Sequence, residues 1–360
     1  MRIVYVLGTR PNLVKTAPVI AALRARLPDA RHTIVHTGQH YDRMMSEVFF
    51  EDLGVPAPDH TLDVGSGSHA EQTARVMERI EPVLLEERPD LTLVPGDVNS
   101  TLAAALVAAK LELPIGHIES GLRSFDRSMP EEINRQLTDQ LAEHLYYHSE
   151  EAAENMRREG IADERMHFVG NTMIDTLVAL EDRFRSAGAA AGLGLEPASY
   201  LLVTLHRPAL VDGPLLTVAM DRLEELAAEL PVLFPVHPRT RKMLGEAGGD
   251  WPGVKLIDPV GYLDFLSLQA DARAVLTDSG GVQEETTYLG IPCFTLRDNT
   301  ERPVTVRAGT NEVIGLAPER IAEIPPMLKS PKSPAEPPPL WDGKASERIA
   351  DSVERALRSV

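Results

Sequence analysis

The sequence predicts an α/β fold made of two similar three-layer halves, each with a doubly wound parallel sheet, and a central cleft between them. In both halves, short apolar segments that favour β-strands alternate with segments of helical apolar spacing, and polar residues follow the strand ends. This alternation is typical of a parallel sheet covered by helices on both faces. Ligands of such sheets bind where the carboxyl ends of the strands meet the following loops. We therefore expect the functional site at these ends, in the cleft.

The predicted elements follow one another without an internal repeat. In the first half they are strands Arg2–Leu7, Thr33–His36, Leu91–Val94 and Ile115–Ile118, and helices Val14–Leu27, Tyr41–Leu53, Ala70–Glu87 and Thr101–Leu111. The second half contributes strands Tyr200–Thr204, Val232–Val236, Lys255–Ile257, Ala274–Thr277 and Cys293–Leu296, and the last helix is Ala345–Leu357. We expect a turn at residues 8–12, loose chain at the Gly/Ala-rich residues 186–192, and irregular structure at the consecutive prolines 325–326 and 337–339.

The composition argues against several classes of function. Asp and Glu number 54 against 36 Lys and Arg, and the resulting formal net charge of -18 disfavours a surface that binds nucleic acid. No apolar run reaches the length that spans a membrane. The one cysteine, Cys293, has no partner for an internal disulfide and fits a reducing compartment. We expect a cytoplasmic protein.

The segment Thr277–Glu285 predicts a phosphate-binding turn between a strand and a helix. The backbone N–H groups at a helix start are unpaired, and the small residues at 279–281 let an oxyanion approach them. The carboxylates of Glu284 and Glu285 in the first helical turn suit the vicinal hydroxyls of a ribose. The alternative is an ordinary helix start with acids that favour the helix dipole.

Charged residues follow three strands of the first half. Arg10 and Lys15 flank the turn after the first strand and suit a diphosphate, although surface charges would need no ligand. Asp97 follows the third strand, where a helix cap is the alternative. Glu119 follows the fourth strand.

Glu119 and Glu131 are expected to face one pocket, with Arg123 and Arg135 setting its charge and the pKa values. Carboxylates around one sugar suit acid–base chemistry and the stabilisation of an oxocarbenium-like carbon. The alternative is that residues 130–132 form only an ordinary helix start.

Two histidines follow strands of the second half. His206 and His237 each lie beside an arginine at a strand end, and we interpret them as contacts for a phosphate or a nucleobase. A lone histidine is usually structural. Two histidines at successive strand ends, each beside an arginine, favour a ligand. Arg302 lies in a polar loop near the Gly-Gly helix and joins this set.

Three patterns are not interpreted as sites. Residues 65–70 match a dinucleotide-binding fingerprint, but they come third in the chain, after a weak strand that leaves no room for the usual first unit. The pairs His36/His40 and His144/His148 have the i, i+4 spacing of metal ligands on a helix, yet neither has a convincing third ligand. The chain contains no P-loop motif. We expect neither a metal nor a cofactor.

Together these segments resemble the non-hydrolysing UDP-N-acetylglucosamine 2-epimerases. The ordered motifs run almost end to end: GTRPNLVK, HTGQHYD, GDVNST, HIESGLRSFDRSMPEEINR, VGNTMID, TLHRP, PVHPR, DSGGVQEE, RDNTERP and DGKAS. The resemblance implies the GT-B arrangement of two Rossmann-like domains, a UDP-sugar substrate and a homodimer. The implied N-terminal domain is residues 1–170, with the C-terminal helix 345–360 packing back on it, and the UDP-binding domain is residues 171–344.

The reaction that the resemblance implies inverts C2 of the sugar. UDP is eliminated to leave an enzyme-bound 2-acetamidoglucal, and is added again after the C2 proton has been replaced from the other face. The implied acid–base group is Asp97, Glu119 and Glu131, with His206 assisting. The implied diphosphate contacts are Arg10, Lys15, Arg135, His206, Ser279, Gly280 and Gly281. Glu285 would bind the ribose and Phe265 would lie by the uracil, and we add His237 and Arg302 to the substrate-binding set.

The chain departs from the family pattern at several positions. Asn12 replaces the usual Glu after the first proline, and Pro208-Ala209 replace Glu-Asn or Glu-Ser. Some family members are activated by a second UDP-sugar molecule that binds at a separate site. At the positions of that site, this chain has Asp42 instead of a Gln and Glu71 instead of an Arg. Because two acids would repel a UDP-sugar, we expect substrate activation to be absent or altered.

Four alternatives stay open. A retaining glycosyltransferase of the same fold would need an acceptor site, and a hydrolysing epimerase would release free N-acetylmannosamine. A nucleotide-sugar-binding regulator would bind UDP without turnover. Within the family, the altered loop at residues 206–210 leaves an epimerase of UDP-2,3-diacetamido-2,3-dideoxyglucuronic acid as the strongest alternative.

Overall fold

The structure is a computed structural model that describes residues 1–38, 50–331 and 337–358. The chain divides into two compact units: unit 1 comprises Met1–Val178 and Pro339–Val360, and unit 2 comprises Ala179–Pro338. Each unit contains one all-parallel sheet with interleaved helices, so the predicted fold class of two Rossmann-like α/β domains is confirmed. The division falls inside a helix, Thr172–Ala187, rather than after residue 170.

Unit 1 is built on a seven-stranded sheet. Successive side chains of its first strand point to opposite faces of the sheet, since Tyr5 packs in one core cluster and Val4 in another. The strand order reverses between β1 and β4, which creates the switch point where such sheets bind ligands. The strands are β1 (Arg2–Leu7), β2 (Arg31–His36), β3 (His60–Thr61), β4 (Leu91–Pro95), β5 (Ile115–Ile118), β6 (His144–Tyr147) and β7 (Met166–Phe168), in the order β3-β2-β1-β4-β5-β6-β7.

Helices connect these strands. Those described before the chain enters unit 2 are α1 (Arg10–Arg26), α2 (His69–Glu87), α3 (Asn99–Lys110), α4 (Pro130–Leu141), α5 (Glu150–Arg158) and α6 (Thr172–Ala187), with a short 3-10 helix at Asp163–Arg165. Most of the predicted helix Tyr41–Leu53 falls on residues 39–49, outside the described residues.

Helix α1 begins four residues earlier than predicted, so the expected turn at residues 8–12 is wrong. Pro11 lies in the first turn, where a missing N–H costs no hydrogen bond. The side-chain oxygen of Asn12 accepts from the amides of Gly8 and Thr9, at 3.3 and 3.1 Å. These bonds satisfy amides that a helix start leaves unpaired.

Unit 2 repeats this design with a six-stranded sheet. In its first strand Val203 packs in one core cluster and Leu202 in another. The order reverses between β8 and β11, which are adjacent parallel strands. The strands are β8 (Leu201–Thr204), β9 (Val232–Pro235), β10 (Val254–Ile257), β11 (Ala274–Thr277), β12 (Cys293–Thr295) and β13 (Asn311–Val313), in the order β10-β9-β8-β11-β12-β13.

The last helix of the chain belongs to unit 1, where Ile349 and Val353 pack in the same core cluster as Tyr5 and Ile20. The remaining helices are α7 (Ala189–Gly192), α8 (Pro208–Val211), α9 (Leu215–Ala227), α10 (Pro238–Ala247), α11 (Tyr262–Ala270), α12 (Gly280–Leu289), α13 (Pro303–Arg307), α14 (Ile324–Met327) and α15 (Ala345–Arg358), with a 3-10 helix at Pro318–Glu323. None of the helices in the described part of the chain is long and apolar enough to cross a membrane.

Two segments that were expected to be irregular are helical. Residues 189–192 form α7 because alanine favours helix and Ala190 packs in the core cluster of Tyr200. Helix α14 accepts Pro325 and Pro326 because they occupy its first positions. The sequence also failed to predict β3, β6, β7 and β13, and His144 therefore lies in a strand rather than on a helix with His148.

Candidate active site

The predicted site residues of unit 1 follow β1, β4 and β5, which are neighbours in the sheet. Arg10 begins α1 and is exposed, whereas Lys15 on the same helix is buried. Asp97 follows β4 and Glu119 follows β5. Their shared edge of the sheet is the one at which ligands of this fold bind.

Lys15 and Glu119 form an ion pair although 104 residues separate them. Both are buried, with exposed fractions of 6% and 8%. Glu119 has a φ of 67°, a conformation that residues other than glycine rarely adopt and that is often kept for a functional reason. A Cβ on Gly96 would lie 3.3 Å from the Lys15 ammonium, so a glycine there keeps room for the pair.

A small pocket lies beside this pair. A ring nitrogen of His148 is within 4.8 Å of a Glu119 carboxylate oxygen. Asn171 is 4% exposed, its Oδ1 accepts the Met173 amide at 2.9 Å, and its Nδ2 has no hydrogen-bond acceptor among the described residues. Because the Lys15 ammonium already neutralises Glu119, the pocket suits a polar organic ligand better than a metal cation. The lining residues are Lys15, Ile118, Glu119, Tyr146, His148, Val169, Gly170, Asn171 and Thr172.

Arg135 joins two carboxylates in unit 1. Its guanidinium lies 2.6 Å from Asp97 Oδ2 and 2.9 Å from Glu132 Oε2, and the side chain is 3% exposed. Glu132 is fully buried, whereas Glu131 is only partly buried. Successive helical residues point about 100° apart, so Glu132 rather than Glu131 faces Arg135. The two acids that the sequence placed at one helix start therefore have different environments.

Arg123, which was expected to set the charge beside Glu119, instead lies 2.7 Å from Asp139 and 2.5 Å from Glu159. Asp139 is fully buried and also bonds to the His117 ring at 2.7 Å and to the Gly121 amide at 3.0 Å. Burial opposes the ionisation of Asp139, but its partners His117 and Arg123 together hold its pKa below the usual range. This buried cluster fixes the loop that presents Glu119.

In unit 2 the Gly-Gly segment begins α12, with Ser279 as the N-cap residue. A Cβ on Gly280 would lie 2.3 Å from a guanidinium nitrogen of Arg302, so Arg302 covers the first turn of the helix. Arg302 is 6% exposed and lies 3.1 Å from Glu284. The structure thus brings the predicted Arg302 to the predicted Gly-Gly helix start.

His206, His237 and Asp278 meet at the switch point of unit 2. Nδ1 of His206 lies 3.1 Å from Oδ1 of Asp278. The other carboxylate oxygen of Asp278 accepts the backbone amides of His206 and Arg207, each at 2.8 Å. The rings of His206 and His237 are 5.9 Å apart. These two predicted histidines therefore lie together.

Glu285 is 3% exposed, and its carboxylate accepts hydrogen bonds from Tyr262 at 2.9 Å and from Gln269 at 2.8 Å. Burial raises the pKa of Glu285 to about 7, although both hydrogen bonds act in the opposite direction. Phe265 lies on α11 with Tyr262 and Gln269, and is partly buried against a core cluster. The predicted ribose and uracil contacts are thus neighbours.

The residues expected to affect substrate activation are described only in part. Asp42 lies outside the described residues. Glu71 is exposed and accepts the Ser68 amide at 2.9 Å in a capping box at the start of α2. This bond holds the pKa of Glu71 below its usual value. Glu71 thus caps a helix, and altered activation stays a prediction.

Sequence reasoning missed several residues of these clusters. Asp278 was detectable as an acid at the end of a strand beside the strand of His206. His148 was considered only as part of a rejected metal-ligand pair, and Asn171 was not selected. Only the sheet brings the segments after β6 and β7 to Glu119. Asp139 lies inside α4 and resembles an ordinary helical acid.

Both units therefore place charged and polar groups at the switch point of a parallel sheet. Unit 2 adds a glycine-rich helix start, which favours a phosphate, and unit 1 adds a lysine–carboxylate pair. Features of this kind are typical of α/β enzymes that bind a phosphorylated ligand.

Comparison with known proteins gives the family. The sequence profile of UDP-N-acetylglucosamine 2-epimerase matches residues 22–354, and the chain belongs to this family. It is 42% identical over 364 residues to the UDP-N-acetylglucosamine 2-epimerase of Methanococcus maripaludis, covering 98% of each chain. It is also 41% identical over 359 residues to the UDP-2,3-diacetamido-2,3-dideoxy-D-glucuronate 2-epimerase of Pseudomonas aeruginosa, covering 99% of this chain and all of that one. The structure of Methanocaldococcus jannaschii UDP-GlcNAc 2-epimerase in complex with UDP-GlcNAc and UDP matches with a TM-score of 0.89 and 40% identity, covering 99% of this chain and 100% of that chain.

Proposed function

We propose that this protein interconverts UDP-N-acetylglucosamine and UDP-N-acetylmannosamine without hydrolysing them. The observation that supports this most directly is the match of nearly the whole chain to UDP-N-acetylglucosamine 2-epimerases, one of them solved with UDP-GlcNAc and UDP. In the proposed reaction a base takes the C2 proton while UDP leaves C1, which gives UDP and 2-acetamidoglucal. A proton then returns to the other face of C2, and UDP adds back to C1. The atoms balance without a cofactor.

We assign the acid–base work to the carboxylates of unit 1. The C2 proton is not acidic, so its removal requires a base held close to it while C1 becomes cation-like. Asp97, Glu119 and Glu131 supply carboxylates, and His206 of unit 2 assists. What supports this role for Glu119 is that it lines the buried pocket of unit 1 and pairs with Lys15, which favours the ionised form that a base requires.

We assign UDP to the groups at both switch points. The diphosphate would meet the helix start at Ser279, Gly280 and Gly281, where unpaired amides favour an anion. Glu285 would accept the ribose hydroxyls, because a carboxylate has about four acceptor positions and two are occupied. The other proposed contacts are Arg10, Lys15, Arg135, His206, His237, Phe265 and Arg302. Arg135 would need to exchange part of its pairing with Asp97 and Glu132 for a phosphate oxygen.

A second candidate substrate is UDP-2,3-diacetamido-2,3-dideoxyglucuronic acid. The observation that favours it is the 41% identity to an epimerase named for that sugar, almost as high as to those named for UDP-N-acetylglucosamine. Pro208 and Ala209, which depart from the family pattern, begin helix α8 directly after His206 and Arg207.

We further propose a homodimer and a cytoplasmic location. Phe125, Ile133 and Leu137 are 72%, 40% and 46% exposed, and the last two lie one helical turn apart on α4. Exposed apolar residues grouped in this way favour contact with a second chain. The buried free thiol of Cys293 fits a reducing compartment. Light scattering tests the dimer, and a particle mass of 39.4 kDa, that of one chain, would contradict it.

The proposed reaction is tested by incubating the protein with UDP-N-acetylglucosamine and, in a separate experiment, with UDP-2,3-diacetamido-2,3-dideoxyglucuronic acid. The products of each incubation are then separated. We expect UDP-N-acetylglucosamine to give UDP-N-acetylmannosamine as the new species, with no free sugar. Turnover of only the diacetamido-uronic substrate would select the second candidate. Free N-acetylmannosamine would show hydrolysis, and transfer of sugar to an added acceptor would show a glycosyltransferase.

A further inference from the structure

We propose that Asp278 is a positioning residue that fixes the ring orientation and the tautomer of His206 for the reaction. This proposal rests on the proposed function, from which the role of His206 toward the substrate is taken. The contacts that support it lie wholly within unit 2, at the carboxyl ends of two adjacent parallel strands, β8 and β11.

Asp278 is a buried carboxylate whose two oxygens have separate tasks. Its side chain is 1% exposed, so its charge must be compensated by direct contacts. Oδ2 accepts the amides of His206 and Arg207, each at 2.8 Å, which ties the loop after β8 to the strand end of β11. Oδ1 lies 3.1 Å from Nδ1 of His206. Oδ1 accepts no hydrogen bond in this conformation from the described residues, so the 3.1 Å contact is an ion-pair distance and not an aligned hydrogen bond. One oxygen therefore holds the backbone, and the second is left for the imidazole, which would form the bond after a small rotation of its ring.

This arrangement decides which nitrogen of His206 serves a ligand. A carboxylate oxygen accepts hydrogen bonds, so Oδ1 favours the tautomer of His206 that carries its proton on the facing Nδ1. The second ring nitrogen, Nε2, is then the atom that meets the substrate. The His206 side chain is 38% exposed while Asp278 beneath it is not, so the ring is anchored on one side and accessible on the other. In its cationic form the ring would donate from Nε2 to an oxygen of the departing diphosphate.

His237 provides a contrast within the same cluster. Its Nδ1 accepts the Arg239 amide at 3.2 Å, so the proton of the neutral ring lies on Nε2. The rings of His206 and His237 are 5.9 Å apart. The local partners thus favour opposite tautomers of two neighbouring histidines, a carboxylate oxygen facing His206 and a backbone amide facing His237.

The substitution Asp278→Asn tests this assignment with little change in shape. The amide oxygen would keep the two backbone amides, and its NH2 group would then face Nδ1 of His206. An NH2 donor pairs only with an unprotonated Nδ1, so the proton would move to Nε2. The neutral amide does not stabilise the cationic ring that donates to the departing diphosphate. We therefore expect kcat to fall by about 10- to 100-fold, with KM and UDP affinity nearly unchanged because the binding contacts remain.

A double variant shows whether the effect passes through His206. Once His206→Gln has removed the ring, Asp278→Asn should cost almost nothing more, since residues that act as a unit are not additive. The matched control is Asp221→Asn, an exposed acid of unit 2 that accepts the Trp251 indole N–H at 2.8 Å, and it should retain wild-type kcat. Wild-type kcat in Asp278→Asn, or a full additional loss in the double variant, would overturn the proposal.

A measurement on the wild-type protein removes any dependence on folding of the variant. Nitrogen NMR of 15N-histidine-labelled protein distinguishes the two tautomers, and the signals are assigned by their loss in His206→Gln and His237→Gln. We expect the Nδ1–H form for neutral His206 and the Nε2–H form for His237. An Nε2–H form for His206 would refute the role of Asp278. If the wild type failed to epimerise any UDP-sugar, the proposed function would fall, while this spectrum would still decide the tautomer.

Discussion

Replacing Glu119 by Gln is expected to lower kcat by about 10²- to 10⁴-fold, the range that a positioned acid or base contributes. The amide has almost the same shape but does not take up a proton at neutral pH. Glu119 is also held in an uncommon backbone conformation, with φ 67°, beside Lys15. The loss is measured as the rate of UDP-N-acetylmannosamine formation under saturating substrate.

The control for this variant must separate chemistry from folding. Glu119→Gln leaves the Lys15 ammonium buried without its counter-charge, which destabilises a fold. Thermal unfolding with and without UDP therefore accompanies the kinetics, and retained UDP stabilisation shows an intact binding site. Glu81→Gln, an exposed acid on α2, serves as the matched variant and should keep full activity. A Glu119→Gln protein that binds UDP and retains most of its kcat would exclude Glu119 as the acid or base.

The substitution Asp139→Asn is expected to lower the free energy of unfolding by about 3–5 kcal/mol, the cost of removing one partner from a buried ion pair. Asp139 has no exposed surface and contacts Arg123, His117 and the amide of Gly121. The asparagine keeps the shape and an acceptor, but it leaves the guanidinium of Arg123 less compensated in the core. Urea unfolding measures the loss. In a Trp251→Phe background the remaining tryptophan, Trp341, reports unit 1.

Glu159→Gln is the matched control because Glu159 is the other carboxylate on Arg123. Its side chain is 27% exposed, so water compensates part of the lost charge, and we expect a loss of about 1 kcal/mol or less. Equal losses in the two variants would contradict the account, because they would show that burial does not set the cost.

The sequence predicted correctly those strands and helices that a local pattern of residues defines without help from tertiary contacts. The strands Arg2–Leu7, Ile115–Ile118 and Ala274–Thr277 are observed with the predicted bounds. The first and the last contain apolar runs with β-branched residues, which are typical of buried parallel strands. The helix that begins at Gly280 and ends before Gly290 was also predicted, since glycines mark both of its ends. In contrast, β3, β6, β7 and β13 are only two to four residues long and have little apolar pattern.

The partners of the site residues were harder to predict than the residues themselves. Glu119 and Lys15 were both selected, but their pairing joins residues 104 positions apart, which periodicity does not reveal. The prediction that Arg123 sets the charge beside Glu119 was wrong, because its partner Asp139 lies on the following helix. The choice between Glu131 and Glu132 depends on the rotation of α4 against the sheet. Such information comes from packing and not from local sequence.

The most direct measurement is proton NMR of UDP-N-acetylglucosamine with the protein in D2O. We expect a UDP-N-acetylmannosamine signal to appear while deuterium from the solvent replaces the proton at C2 in both UDP-sugars. This follows because the proposed elimination removes the C2 proton, and the proton that returns comes from a carboxylate that has exchanged its own proton with the solvent. Epimer formed with full retention of the C2 proton would contradict this mechanism. Binding of UDP without either epimer or exchange would contradict epimerisation of this substrate.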